Sequence, residues 1–294
     1  MNNEMEQALA QFNIDSNLPI TQTTQNTSWR VGDKYILKSF LTDKENAKRI
    51  VYLNTLLYKE NAPVTKYHMT KTGELYAIAG DNYYTLADKL PGKESQNSVY
   101  DGNSKKRAYS LGKNLAVLHL ALKKVEGQVQ AINMDTMGEF HGWILKEITE
   151  KKIAVPQELI NCCLEFEELY YSLPRQLIHR DPHGGNIFFE NDEVSGFIDF
   201  DISQINIRIF DMCYTFFPWK DRFTEWIVLQ PYFFDGYNSI SAISAEEMRG
   251  FPYMCVLLEL LFVAFWSTLD KEDKVVEALE SANWVYGIRS KIGF

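Results

Sequence analysis

The chain reads as an α+β protein in two lobes: a small N-terminal lobe on an antiparallel sheet and a larger, mainly helical C-terminal lobe. Three observations predict this. Before about residue 90, apolar residues fall in short runs separated by turn signals such as Gly32-Asp33 and Asp81-Asn82. Beyond that point they recur at helical spacing in long segments. Between those helices, residues 176–198 return to short strands around a polar loop. At 294 residues the chain can bury two such lobes.

Residues 4–12 have the pattern of a short amphipathic helix. After a loop with Asn17 and Pro19, residues 20–23 are extended. A polar loop, 24–27, leads to a strand at 28–31. Gly32-Asp33 turns the chain into a third strand, 34–40. Residues 43–60 form a helix with Ile50, Leu53, Leu56 and Leu57 on one stripe and Thr42 as its N-cap. Two more strands, 74–79 and 83–88, complete a five-stranded sheet with one helix. Pro91-Gly92 marks the boundary between lobes 1–90 and 91–294.

In the second lobe, residues 93–104 are a polar loop or short helix, 108–122 a long helix, and 127–142 irregular. Helices follow at 143–149 and 157–172. Residues 176–178 are a short strand, and 186–189 and 194–198 form a hairpin about the polar turn 190–193. Helices at 214–219, 222–230, 245–266 and 271–288 complete the chain. The apolar run 254–265 contains Glu259 and is too short to span a bilayer.

The chemistry sits in the stretch 177–201. His179-Arg180-Asp181 is followed by Asn186, five residues after Asp181, and by Asp199 at the end of the hairpin. Phosphoryl transfer needs a carboxylate beside the attacking hydroxyl and oxygen ligands for magnesium on the nucleotide phosphates. Asp181 suits the first task. Asn186 and Asp199 suit the second, because magnesium takes hard oxygen ligands. Lys38 ends an apolar run on the third strand, where burial is costly unless it meets an anion such as a phosphate.

This stretch resembles the aminoglycoside phosphotransferase and choline kinase family, small-molecule kinases of protein-kinase-like fold. The family pattern is close to H-G-D-x-H-P-G-N followed by I-D-[WF]. The chain reads His179-Arg180-Asp181-Pro182-His183-Gly184-Gly185-Asn186, then Ile198-Asp199-Phe200-Asp201. Arg180 replaces the glycine and Gly184 the proline. The likeness extends over residues 20–270, through the 36–38 strand, the 108–122 helix with His119, and Asp211 in Asp211-Met212-Cys213. It also takes in Phe234-Asp235-Gly236-Tyr237, like a G-Y element before a helix.

The resemblance implies ATP or GTP as donor, with Mg2+, and a small-molecule hydroxyl as acceptor: an aminoglycoside, amino alcohol, homoserine-like compound or sugar. Asp181 is then the catalytic base, and Asn186 and Asp199 are the metal ligands. Lys38 holds the α/β-phosphates. The glycine-free loop offers Asn26, Thr27 and Ser28 to the nucleotide, or is a plain polar hairpin. Asp88 and Leu90 are candidates for backbone contacts to the base in a hinge at 86–92. The family's helix glutamate, which pairs with the strand lysine, is assigned to Glu45, although its usual place lies nearer Arg49 or Ile50. Glu45 equally suits the positive end of its helix. His119 and Asp211 are expected to brace the catalytic loop.

Asp201 is placed to meet a cationic part of the acceptor, or is a solvated carboxylate. Trp219, Tyr232, Glu259 and Trp266 are candidates to line the acceptor site, or core side chains. Arg180 matches the H-R-D of protein kinases, so a protein acceptor stays open. The short 203–207 segment and the lack of an A-P-E motif oppose it. The glycine-free loop keeps a non-catalytic nucleotide-binding role open.

Composition narrows the classes. A net charge of −9 argues against a general nucleic-acid binder. It agrees with a cationic acceptor, or merely aids solubility. Four cysteines without a CxxC pair make neither a disulfide framework nor a zinc site, and suit a reducing cytoplasm. The first residues are acidic, helix-like and unlike a signal peptide, and no membrane partner is expected.

Overall fold

The computed structural model describes residues 3–15, 17–23, 27–40, 44–94, 98–216 and 222–292. In the N-terminal part, helix α1 (Asn3–Leu9) precedes strands β1 (Ile20–Gln22), β2 (Ser28–Val31) and β3 (Tyr35–Phe40). Helix α2 (Lys44–Lys59) and strands β4 (Tyr67–His68), β5 (Ala77–Ala79) and β6 (Asn82–Asp88) follow. The sheet is antiparallel in the order β1-β2-β3-β6-β4, with β5 also on β6. It has six strands, where the sequence pattern suggested five. The extra one, Tyr67–His68, is too short to show a period.

Two apolar clusters hold this part. Met5, Ala8 and Phe12 pack α1 and its extension against Leu37, Ala77, Tyr84 and Leu86. On the other side, Leu53, Leu56 and Leu57 of α2 join the large apolar cluster of the helical part. Helix α2 is therefore anchored by the helices below it as well as by the sheet. This matters for the site, because the helix carries Arg49.

The C-terminal part continues with β7 (Lys93–Glu94), α3 (Ser104–Val125), β8 (Ile132–Asn133), α4 (Thr136–Glu139), α5 (Leu145–Glu150) and α6 (Gln157–Ser172). Then come β9 (Arg175–Ile178), β10 (Ile187–Glu190), β11 (Glu193–Phe197) and β12 (Gln204–Ile207). Helices α7 (Ile209–Thr215), α8 (Phe223–Asn238), α9 (Ala245–Thr268) and α10 (Glu272–Ile288) complete it. The expected hairpin is β10–β11, with Phe188 opposite Gly196. Strand β7, in a segment expected to be loop or helix, pairs with β10 at Phe188 and Phe189. The chain entering the second lobe is thus fastened to the hairpin that carries Asp199.

Two further differences from the sequence reading have physical causes. Residues 209–215 are already helical, and α8 runs through Pro231 to Asn238 instead of stopping near 230. Gly236-Tyr237 therefore lies inside a helix rather than before one. Its place there is set by packing. A Cβ on Gly236 would sit 2.0 Å from the Tyr109 carbonyl oxygen, and one on Gly112 would sit 1.9 Å from that of Phe233. The two glycines let the backbones of α3 and α8 touch, and α8 stays helical because α3 supports it.

The run around Met254 belongs to a 24-residue helix, α9, long and apolar enough to cross a membrane by length and composition. Its most apolar window is 72% buried inside the protein, as in a core helix.

Candidate active site

Strand β9 is buried and delivers the chain into the loop at His179. Strand β12 lies antiparallel to β9, with Gln204 opposite Ile178. Both ends of the 179–203 segment are thereby held in one small sheet. At the loop's base stands Asp211, fully buried in the first turn of α7. Its Oδ2 accepts from the His179 backbone N–H at 2.7 Å and meets His119 Nε2 at 3.1 Å. Its Oδ1 accepts from the Arg180 N–H at 2.9 Å. His119 Nδ1 in turn meets the Tyr237 hydroxyl at 2.7 Å. One carboxylate thus satisfies two loop amides that would otherwise be orphaned, at a position where Arg180 takes a left-handed φ of 76°.

The inward residues are buried and bonded to the fold around them, although Arg180 Nη1 is buried without a hydrogen-bond partner. The His179 ring is buried, lies on Phe200 at 4.5 Å, and donates through Nε2 to the Ile198 carbonyl at 2.9 Å. Burial lowers its pKa, so the ring is neutral. The Arg180 guanidinium lies 4.0 Å over the Phe210 ring and donates to Glu139 of α4 at 2.8 Å. It is closed off from solvent and from any phosphorylated loop.

The outward residues converge. Asn186 Nδ2 donates to the Asp181 carbonyl at 2.9 Å and to its carboxylate at 3.2 Å. Burial raises the Tyr214 pKa and the nearby Asp181 charge raises it further, and His183 Nε2 stands 3.7 Å from the Asp181 carboxylate. The His183 ring itself is fixed by the Gly185 N–H, 3.0 Å from Nδ1. The Asn186 carbonyl accepts from the Ile198 N–H at 3.0 Å, which brings Asp199 beside the loop.

Asp199 has a left-handed φ of 70° and pairs with Lys38 Nζ at 2.8 Å; Asp201 stands 3.5 Å from the same nitrogen. The two carboxyls also stand close enough to influence each other's charge. Burial works to raise both. The Lys38 charge holds Asp199 below the usual carboxylate range, while burial and the Asp199 charge push Asp201 up to about 6.

These residues fit a divalent cation that the nucleotide completes. Asp201 Oδ1 is buried without a partner. The Asn186 amide is oriented by its Nδ2 bonds, which leaves Oδ1 as an oxygen donor. Among the described residues, no group of three His, Cys, Asp or Glu side chains could hold a metal alone. That agrees with magnesium, which keeps waters and binds through one or two carboxylates and phosphates.

The remaining candidates lie as follows. Asn26 and Trp219, and the N-cap Thr42, fall outside the described residues. Ser28 lies across the ladder from Lys38, and the Thr27 carbonyl accepts from the Ser39 N–H at 2.8 Å. The Asp88 N–H is taken, because it donates to the Lys66 carbonyl at 2.9 Å; its carbonyl accepts from the Thr65 hydroxyl and keeps a second lone pair. Leu90 packs its side chain on Gly196. Glu45 needs correcting: it pairs with Lys48 at 2.9 Å on an exposed surface, while Lys38 is countered by Asp199 and Asp201. Tyr232 and Trp266 are half-buried, Tyr232 with Lys105 5.2 Å above its ring and Trp266 against Phe265. Glu259 is fully buried in α9.

Sequence reasoning missed Arg49, Tyr214 and Glu139 as site residues. Arg49 Nη2 donates to the Asp201 carbonyl and Nη1 to the Ser203 carbonyl at 3.3 Å, so α2 grips the segment after Asp199 through its backbone. A signal was there, because the family's acidic position fell nearer Arg49 or Ile50 than Glu45. Carbonyls have no sequence identity, and nothing in the sequence marked them as its partners.

The model of a phosphotransferase enzyme family matches residues 17–250. Homoserine kinase of Methylocella silvestris is 29% identical over 147 residues, 48% of this chain and 46% of that protein. Homoserine kinase of Gluconobacter oxydans is 32% identical over 87 residues, 28% of this chain and 27% of that protein. The chain spans about half or less of the length of these curated relatives. An aminoglycoside phosphotransferase structure from Alicyclobacillus acidocaldarius superposes with a TM-score of 0.72 at 14% identity, covering 97% of this chain and 95% of that one. A microcompartment-associated aminopropanol kinase gives 0.69 at 17%, covering 98% and 96%. An amicoumacin kinase in complex with AMP-PNP, Ca2+ and Ami gives 0.69 at 15%, covering 96% and 93%. At these identities the structural likeness is one of fold.

Proposed function

The chain belongs to the phosphotransferase enzyme family, and on that premise we propose that it moves the γ-phosphate of ATP or GTP to a hydroxyl of a small molecule. The observation that carries the reading is the convergence of Asp181, Asn186 and Asp199 with Lys38 on Asp199. Asp181 accepts the proton of the acceptor hydroxyl as it attacks. Asn186 holds that carboxylate in place. Asn186 Oδ1 and Asp199, with Asp201 beside it, would hold magnesium. Magnesium, when bound, would supply positive charge against the nucleotide phosphates. Lys38 shifts its charge between Asp199 and the α/β-phosphates.

The acceptor is an aminoglycoside, amino alcohol, homoserine-like compound or sugar. Support comes from the names of the relatives, which are kinases of homoserine, aminopropanol and aminoglycosides. A protein acceptor is disfavoured. Arg180 is buried against Glu139 and Phe210, and only the four-residue β12 separates the Asp201 turn from α7. The reading sets the reaction in the cytoplasm, in keeping with four cysteines that are all free and buried.

The experiment is ATP consumption with magnesium against aminoglycosides, choline-like amines, homoserine and sugars, with Asp181→Asn as control. Turnover on one acceptor that vanishes in the control supports the reading. Turnover that persists in the control removes Asp181 from its role.

A further inference from the structure

Histidines 119, 179 and 183 stand in the loop at residues 179–186 or at its base, and the first two are used up. His119 meets the Tyr237 hydroxyl and Asp211 with its two ring nitrogens. His179 meets the Ile198 carbonyl through Nε2 and the Asp181 N–H through Nδ1. Both rings are buried. His183 is different. Its side chain is 45% exposed, and one of its nitrogens is engaged: Nδ1 accepts from the Gly185 N–H at 3.0 Å. Among the described residues, Nε2 makes no hydrogen bond.

Everything around that nitrogen is fixed. The His183 N–H donates to the Asp181 carbonyl at 2.9 Å, and the His183 carbonyl accepts from the Asn186 N–H at 2.8 Å. The ring lies 6.3 Å from that of Tyr214. Because a backbone amide is aimed at Nδ1, that nitrogen is the acceptor, and the neutral ring carries its proton on Nε2. The loop thus holds an N–H donor, not a second base, beside Asp181. Nε2 stands 3.7 Å from Asp181 Oδ2. That is too long for a hydrogen bond, but one oxygen atom set between the two can lie about 2.8 Å from both.

We infer that this oxygen is the acceptor's hydroxyl, and that His183 is a second catalytic residue, which orients the hydroxyl while Asp181 takes its proton. The inference rests on the small-molecule kinase reading above. A hydroxyl has one proton and two lone pairs. The proton goes to Asp181, one lone pair accepts from His183 Nε2–H, and the other is left to point at the γ-phosphorus. A carboxylate alone would hold the hydroxyl by its proton and leave it free to swing about that bond. The second contact removes this freedom before the attack.

In the step itself, the bond from the acceptor oxygen to the γ-phosphorus forms, and the bond from the γ-phosphorus to the β,γ-bridging oxygen breaks. The hydroxyl proton ends on Asp181. The electron pair of the broken bond leaves with the nucleoside diphosphate. His183 keeps its proton throughout and acts as neither acid nor base.

The test compares His183→Gln, which keeps a neutral N–H donor near the Nε2 position, with His183→Leu, which removes it. Both are made in the full chain and assayed with ATP and Mg2+ on the alcohol turned over fastest among aminoglycosides, choline-like amines, homoserine and sugars. Asp181→Asn is run beside them. His183→Leu should lower kcat by about 10–100-fold, with the ATP KM and the urea midpoint nearly unchanged, and His183→Gln should recover most of the loss. A readout independent of turnover is the nitrogen NMR spectrum of the ring. In the free protein it should show the proton on Nε2. The Nε2 signal should then move when the alcohol is added to protein already holding Mg2+ and AMP-PNP.

The inference is overturned by a normal kcat in His183→Leu, by equal losses in the two variants, or by a proton on Nδ1. It is also overturned by an Nε2 signal that answers to AMP-PNP and not to the alcohol, which would give His183 to the nucleotide phosphates. None of these results touches the kinase reading while Asp181→Asn is inactive. Turnover that survives in Asp181→Asn, or no turnover on any of the alcohols, removes that reading and this inference with it.

Discussion

The loop at residues 179–186 has an inward and an outward side, built from neighbouring residues. His179 and Arg180 turn in. Their amides go to Asp211, the imidazole to the Ile198 carbonyl, and the guanidinium to Glu139. Asp181 turns out, half-buried, with Asn186, Tyr214 and His183 about it. The contrast teaches that the H-R-D triplet performs two jobs. Two residues spend their polar groups on rigidity so that the third can keep a carboxylate exposed in one place. Damage on the inward side should appear as lost stability, and damage on the outward side as lost turnover.

Four measurements would break or sharpen this division. The largest effect is expected for Asp181→Asn, with turnover lower by about 10²–10⁴-fold and the urea midpoint nearly unchanged. A large loss of stability instead would erase the contrast. Next, Asp211→Ala leaves two buried amides and His119 without an acceptor and should destabilise by about 3–5 kcal/mol in urea unfolding.

Third, Glu139→Leu strands a buried guanidinium and should cost about 2–4 kcal/mol, whereas Glu139→Leu with Arg180→Met should recover most of it. A double variant as unstable as the single one would mean that Arg180 is valued for its Phe210 contact alone. The smallest effect concerns His179. Its folded pKa is depressed by burial, so below about pH 6.5 the unfolded chain binds a proton that the folded ring refuses. Stability should therefore fall with decreasing pH, by at most about 1.4 kcal/mol per unit from this group, and the slope should shrink in His179→Gln.

Sequence alone determined the residues that are recognised by kind and spacing. The H-x-D-x-x-x-x-N run, the hairpin to Asp199, the strand bearing Lys38 and the division between a strand-rich and a helix-rich lobe all follow from local periods and turn chemistry. Tertiary structure alone decided what depends on backbone groups and on contacts across long separations. The Asp88 N–H is taken by Lys66, Lys38 meets Asp199 and Asp201 rather than Glu45, and Arg49 binds carbonyls of residues 201 and 203. Pro231 sits inside a helix whose backbone Gly112 and Gly236 let lie against α3. The physical reason is common to all of them. A side chain's chemistry is written in its name, but its partner is chosen by the packing of elements far apart in the chain, and a carbonyl looks the same in every residue.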